Sequence, residues 1–282
     1  MIQKINYLIT KIFDGMLYPF SFINDFWGVL FLSLLTSLVV LIVYKYLSAP
    51  AKIKEAKDKI KANILAIRLY KDFWKVMADS FFKSLFYVLK YFALNIGVII
   101  IILPLLVPLF MQMDVRYGMR SFRVGEEIII KAAFARNPND LDIKLLESEN
   151  FKPKMNPVFI NAFKDDEKQE PLREVNWKVE ATAAGAAKIK IRVNGKIVEK
   201  NLFIGKHNKA LSNKKFRDSS LEHFIYPVEP LFPKNTDIKY VYINYPGKNV
   251  SFAGTGIHWI IYYLVLVLII VLALRKRFGV EF

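Results

Sequence analysis

The 282-residue chain contains no cysteine, which excludes disulfides and thiolate metal sites. Histidine is almost as scarce. His207, His223 and His258 lie apart from one another, and none belongs to a close His/Asp/Glu cluster of metal-binding spacing. No GxSxG, Walker, HExxH or protein-kinase pattern occurs. Gly254-Thr255-Gly256 lacks the strand–helix context and spacing of a nucleotide-binding fingerprint. Asp165-Asp166-Glu167 is hemmed in by Lys164 and Lys168 and reads as a solvated loop. No internal repeat or low-complexity tract stands out. These absences predict a protein that is not an enzyme and carries no cofactor or metal.

Apolar length is what the chain has in quantity: 54% of its residues are hydrophobic and 15% aromatic. Trp27–Tyr46 and Tyr91–Phe110 are runs of about 20 residues, the length a helix needs to cross a hydrocarbon core of ~30 Å. A third run, Ile257–Leu274, ends in Arg275-Lys276-Arg277. The formal net charge of +16 is spread along the chain, so nucleic acid is not expected as a partner. Between Lys45 and Lys90 stand eleven Lys/Arg against four acids. Short basic loops remain on the cytoplasmic side, so this loop and the Arg-Lys-Arg tail are predicted inside. The amino terminus and residues 113–256 are then outside. The inner loop is also expected to attract anionic lipid head groups, each Lys or Arg contributing roughly 1 kcal/mol near the surface.

Residues 1–26 lack the uninterrupted apolar core of a cleavable signal peptide. Ile2, Ile5, Ile9, Ile12 and Phe13 recur at helical spacing and predict an amphipathic helix on the outer leaflet. An exported domain without disulfides fits the bacterial cytoplasmic (inner) membrane, which leaves the Asn249-Val250-Ser251 sequon without meaning.

The inner region, 47–90, is predicted to open with Pro50 in a helical first turn and to carry an apolar face of Ile53, Ile60, Ile67 and Trp74. That face could pack as a helical hairpin, lie on the membrane or meet a partner. Pro104 and Pro108 predict kinks in the second span. Beyond it, period-two runs at Glu127–Ala133, Leu141–Leu146, Val175–Ala181, Lys188–Val193, Lys196–Ile204, Thr236–Asn244 and Asn249–Phe252 predict strands. Asn194-Gly195 between two of them is the signature of a type I′ hairpin. Phe203–Glu222 lacks a strand period and predicts a basic loop or short helix. The expected fold is an α+β membrane protein: three transmembrane helices, a cytoplasmic amphipathic helix and an extracytoplasmic Ig-like β-sandwich.

Polarity within the apolar runs supplies the candidate site. Ser33, Thr36 and Ser37 share one face of the first span. Lys45, Lys90 and Asn95 lie toward the cytoplasmic boundary, and with the hydroxyls they line either a polar groove or a helix–helix seam. Asn95 is costly in hydrocarbon unless paired or hydrated.

The stretch LTSLVVLIVYKYLSAPAKIKEAKDKIKANILAIRLYKD runs a span straight into a charged helix, with another span following. This plan resembles the three-span core of the YidC/Oxa/EMC insertase superfamily over residues 27–112 and 257–278. The motifs RLYKD and RYGMRSFRVGEE are also similar to uncharacterised bacterial three-span membrane proteins. The first resemblance implies a non-enzymatic biogenesis factor whose inner-leaflet groove (Thr36, Ser37, Lys45, Lys90, Asn95) receives membrane-protein clients. It also implies that the Ile53–Met77 helix captures clients or ribosomes. The other open reading is an anchored assembly or sensor subunit whose β-domain binds an envelope protein, with Lys206–Arg217 as the candidate surface.

Overall fold

Long uncharged apolar runs form helix here although their β-branched residues have low helix propensity, because a helix pairs every backbone group within the segment. The computed structural model describes residues 2–162, 171–207, 210–219 and 221–280. The acidic stretch at 165–167 lies outside them. In chain order the helices and first strands are α1 (Ile2–Leu17), α2 (Asp25–Leu47), α3 (Pro50–Leu69), α4 (Trp74–Met113), β1 (Glu127–Phe134), β2 (Ile143–Leu145), β3 (Phe151–Pro153) and β4 (Val158–Ala162). Then come β5 (Leu172–Ala181), β6 (Gly185–Val193), β7 (Lys196–Ile204), β8 (Lys214–Phe216), α5 (Leu221–Ile225), β9 (Ile238–Ile243), β10 (Val250–Phe252), β11 (Thr255–Ile257) and α6 (Trp259–Phe278). The protein is thus helix plus sheet. Three of its helices, α2, α4 with the turn after it, and α6, are long and apolar enough to cross a membrane.

Two compact units result, Met1–Phe26 with Pro108–Trp259, and Trp27–Val107 with Ile260–Phe282. In the first, strands pair antiparallel in the order β3-β5-β1-β9-β8, with β4 also on β5, and in a second sheet β2-β6-β7. Strand alternation builds the core. Along β6, Ala187, Ile189, Ile191 and Val193 are buried while Lys188, Lys190 and Arg192 are exposed. Residues of both sheets, among them Ile128, Ile130, Trp177, Val179, Val198 and Val241, enter one hydrophobic cluster. Asn194 and Gly195 take φ of 48° and 79°, the conformation a type I′ turn demands, and register Val193 against Lys196. The stretch predicted as loop or short helix, Phe203–Glu222, holds the end of β7, all of β8 and the first residues of α5. β10 and β11 form a separate hairpin.

At the foot of this unit, Asp114–Gly118 form a π-type turn after α4. A side chain at Gly118 would collide with the Asp114 carboxylate, which accepts from Trp259 Nε1 at 3.4 Å. A larger residue there would have to displace the Asp114 carboxylate from Trp259.

In the second unit Leu41 and Tyr44 of α2, Ile53 of α3, Val98 and Ile102 of α4 and Val280 close a small core. α3 turns back along α4: Lys57 Nζ sits 5.7 Å from the Tyr91 ring, and Lys90 Nζ is 4.0 Å from Glu55. This is the helical hairpin, with the helix broken inside the seven-residue apolar row. Tyr70–Phe73 form a turn closed by Phe73 N donating to Tyr70 O at 3.0 Å, and Trp74 begins the next helix. α4 runs unbroken for 40 residues through Pro104 and Pro108. At 1.5 Å per residue that is ~60 Å, about twice the length needed to cross a hydrocarbon core. Its apolar residues, including Ile99, Ile100 and Leu103, are exposed, as are Leu264, Leu268 and Ile269 of α6. Apolar surface in continuous bands on hydrogen-bonded helices is what lipid requires.

Candidate ligand cavities around the amino-terminal helix

A surface helix of a water-soluble protein turns its apolar stripe inward. α1 does so only in part. Ile5, Leu8 and Ile12, one stripe by their spacing, are exposed. The docked side is mixed: Asn6 and Leu17 are buried, and Thr10 and Phe13 half-buried. Asn6 is buried and donates Nδ2 to the His223 carbonyl at 2.8 Å, and Gln112 Nε2 donates to Thr10 Oγ1 at 2.9 Å. Arg116, with its side chain only 9% exposed, gives Nη2 to Asp14 Oδ1 at 2.5 Å and to Thr10 O at 3.4 Å. Its Nη1 donates to Gln112 O at 3.0 Å and also meets the Gln112 side-chain oxygen. The expected helix is present, held to the β-domain through Asn6, Thr10 and Asp14.

Two cavities flank this clamp. The first, about 970 Å³, lies between α1 (Asn6, Tyr7, Thr10) and a wall of Phe203, His223 and Val228. Glu229, which lines it, belongs to a buried ion pair with Lys200. The β7 alternation turns Val198, Lys200, Leu202 and Ile204 inward, so a lysine occupies an apolar register position. Lys200 Nζ meets Glu229 Oε1 at 2.5 Å and donates to Ser212 O at 2.7 Å, with the two side chains 1% and 4% exposed. The second Glu229 oxygen accepts from Asn201 N at 3.1 Å, and Tyr245 Oη accepts from Phe203 N at 3.2 Å. Lys215 Nζ donates to Glu199 O at 2.7 Å. These side chains occupy the outer edge of β7, which an exposed strand would offer to another chain. Burial pushes the Lys200 and Lys215 ammonium pKa values down, partly offset by Glu229. Burial likewise lowers that of His223, whose ring lies against the Glu229 backbone, favouring neutral imidazole in the cavity wall.

The second cavity, about 1070 Å³, lies at the other end of α1, against Lys11, Asp14 and the Tyr18–Asp25 segment. Arg116–Ser121, Lys206 and Lys248 supply the opposite wall.

The polar residues predicted within the spans occupy a different unit. Ser33 and Ser37 are fully buried and Thr36 nearly so. Each donates to the carbonyl four residues back in its own helix, at 2.8, 2.7 and 2.7 Å for Ser33, Thr36 and Ser37. Tyr263 of α6 lies beside Thr36. Asn95 is half-buried. It donates Nδ2 to Tyr91 O at 2.7 Å and accepts through Oδ1 from the Tyr44 hydroxyl. Lys90 is half-exposed between Glu55 and the Tyr87 ring, and Lys45 is exposed over Tyr46. Ser33, Thr36 and Ser37 therefore cluster; Asn95 joins Tyr44; Lys45 and Lys90 take separate partners.

Of the predicted cytoplasmic helix face, Ile53 is buried, Ile60 and Ile67 are half-buried, and Trp74 is exposed on α4. The proposed basic surface at Lys206–Arg217 is engaged mainly within the domain; positions 208 and 209 lie outside the described residues. Lys214 Nζ sits 3.9 Å from the Tyr240 ring and 3.0 Å from Glu222, and Arg217 pairs with Asp218. Sequence reasoning missed Lys200, Glu229, Arg116 and Asn6. A lysine at the inward phase of β7 is the one signal that could have exposed the first. No metal-binding group of three or more His, Cys, Asp or Glu occurs among the described residues. Neither a protein-family model, nor a curated protein, nor a solved structure matches this chain.

Proposed function

We propose that the chain is a membrane-anchored, non-enzymatic binding subunit: an assembly or sensor component whose β-domain receives an envelope protein beside α1. The observation that carries this reading is the contrast between the units. The 970 Å³ cavity combines apolar walls with convergent polar groups, the usual character of a binding site. The hydroxyls of the first span are buried and satisfied by their own helix, as in packed transmembrane seams. In this reading residues 47–90 and the tail face the cytoplasm of a bacterial inner membrane, and α1 and the β-domain lie outside.

The domain is read as Ig-like on its pairing. Sheet β9-β1-β5-β3/β4 corresponds to strands A, B, E and D, and β2-β6-β7 to C, F and G. The A position is filled by a strand that follows the others in the chain, and Trp177 lies on β5 without a disulfide partner.

The insertase reading remains a second proposal. It is favoured by the α3–α4 hairpin, which carries the inner-loop lysines between two spans, and by the Tyr44–Asn95 polar pair within the apolar unit. In-cell photo-crosslinking separates the two. Cross-linkers at Leu8 and Val228 are expected to trap one discrete envelope protein. Adducts from Ser37 or Lys90 to nascent membrane-protein chains would instead favour the insertase.

A further inference from the structure

The second cavity carries a charge that the protein-binding reading does not use. Its lining includes five cationic side chains, Lys11, Arg116, Arg120, Lys206 and Lys248, against two carboxylates, Asp14 and Asp25. Three of the cations are held: Arg116 by Asp14, Lys248 by Asp25 at 2.7 Å, and Arg120 by Glu126 at 2.8 Å. Lys11 and Lys206 are exposed and have no ion pair among the described residues. Lys11 only overhangs the Tyr7 ring at 5.7 Å. A cavity with a net positive lining and two uncommitted ammonium groups is suited to an anion.

The same lining says which anion. Asp25 is the first residue of α2, the first apolar helix, and Arg116 stands three residues beyond α4. Both lie where the chain passes between apolar helix and polar domain, the depth at which lipid phosphates sit. Tyr18, Phe22 and Ile23 also line the cavity and are largely exposed, offering apolar surface beside the cations. A free phosphate has no use for such surface, whereas the glycerol and upper acyl carbons of a phospholipid do.

We propose that this cavity binds the head group of an anionic phospholipid, Lys11 and Lys206 neutralising its phosphate while Tyr18, Phe22 and Ile23 contact the acyl–glycerol region. The site is separate from the basic inner loop, which lies on α3 and α4. It shares Lys11 and Asp14 with the first cavity, whereas Lys206 and the Tyr18–Ile23 surface belong to the second alone.

The test is native mass spectrometry of the full chain in detergent, titrated with phosphatidylglycerol. The comparison is among wild type, a Lys11→Gln/Lys206→Gln variant, and a Lys59→Gln/Lys61→Gln control on α3. Both pairs of lysines are exposed, so the variants should keep the fold. The expected result is one retained phosphatidylglycerol whose affinity falls roughly tenfold in the first variant and is unchanged in the control. Equal affinity in all three proteins would overturn the proposal. So would displacement of the lipid by millimolar inorganic phosphate, which would make the site one for a soluble anion. Neither outcome depends on whether the first cavity captures a protein.

Discussion

Glu229→Ala is expected to destabilise the β-domain by about 3–5 kcal/mol, the cost of leaving a buried charge without its partner. Lys200 has no route to water at 1% exposure, and its other contact is a neutral carbonyl of Ser212. Loss of Glu229 also strips Asn201 N of its acceptor on the β7 edge. Domains are stable by only about 5–15 kcal/mol in total, so the effect should lower the unfolding midpoint of the full chain in detergent by roughly 10 °C. The defect should ease on raising the pH. Burial depresses the folded-state pKa of Lys200, so between that value and about 10 the unfolded chain binds the extra proton and stability climbs with pH. A Lys200→Met/Glu229→Leu pair, which removes both charges, should recover most of the loss. A Glu229→Ala variant as stable as wild type would mean that the ion pair contributes nothing to the stability of the domain.

Arg116→Ala is expected to release α1. The guanidinium is the hub of the clamp, reaching Asp14 Oδ1, Thr10 O and both oxygens of Gln112 from a nearly buried position. Hydrogen bonds to charged groups contribute about 1.5–3 kcal/mol each, and part of their loss is recovered by water at the half-exposed Asp14. A net weakening of about 3 kcal/mol corresponds to a roughly hundredfold rise in local opening. Hydrogen exchange should therefore accelerate by that factor across Ile2–Leu17 while the β5 and β6 amides stay protected. Unchanged protection of α1 would show that the Asn6–His223 contact holds the helix without Arg116.

The sheet was legible wherever strands were long. β1, β5, β6, β7 and β9 alternate over six to ten residues, and Asn194-Gly195 announces its own turn. β3, β4, β8 and β11 escaped because three to five residues are too few for a period and their pairing is set by neighbours distant in sequence. The break at Tyr70–Phe73 escaped for a related reason. No glycine or proline stands between Pro50 and Gly97, and the seven-residue apolar row passes through the turn undisturbed. For α1 the periodicity located the apolar face correctly but said nothing of which face docks. That is decided by Arg116 and His223, more than a hundred residues away. In the first span the hydroxyls were visible, but groove and seam share one pattern, and their burial and i−4 bonds are contacts that a sequence does not show.

The proposed function needs spans that are packed rather than hydrated, and thiol accessibility tests this most directly. Single cysteines at Ser33, Ser37 and Asn95, in a chain with none of its own, are to be challenged with a membrane-impermeant thiol reagent from each side. The account predicts no labelling at Ser33 and Ser37 from either side, with a cysteine at exposed Lys59 labelled readily from the cytoplasm. Labelling of Ser37 and Asn95 from the cytoplasmic side alone would reveal a hydrated inner-leaflet groove and contradict it.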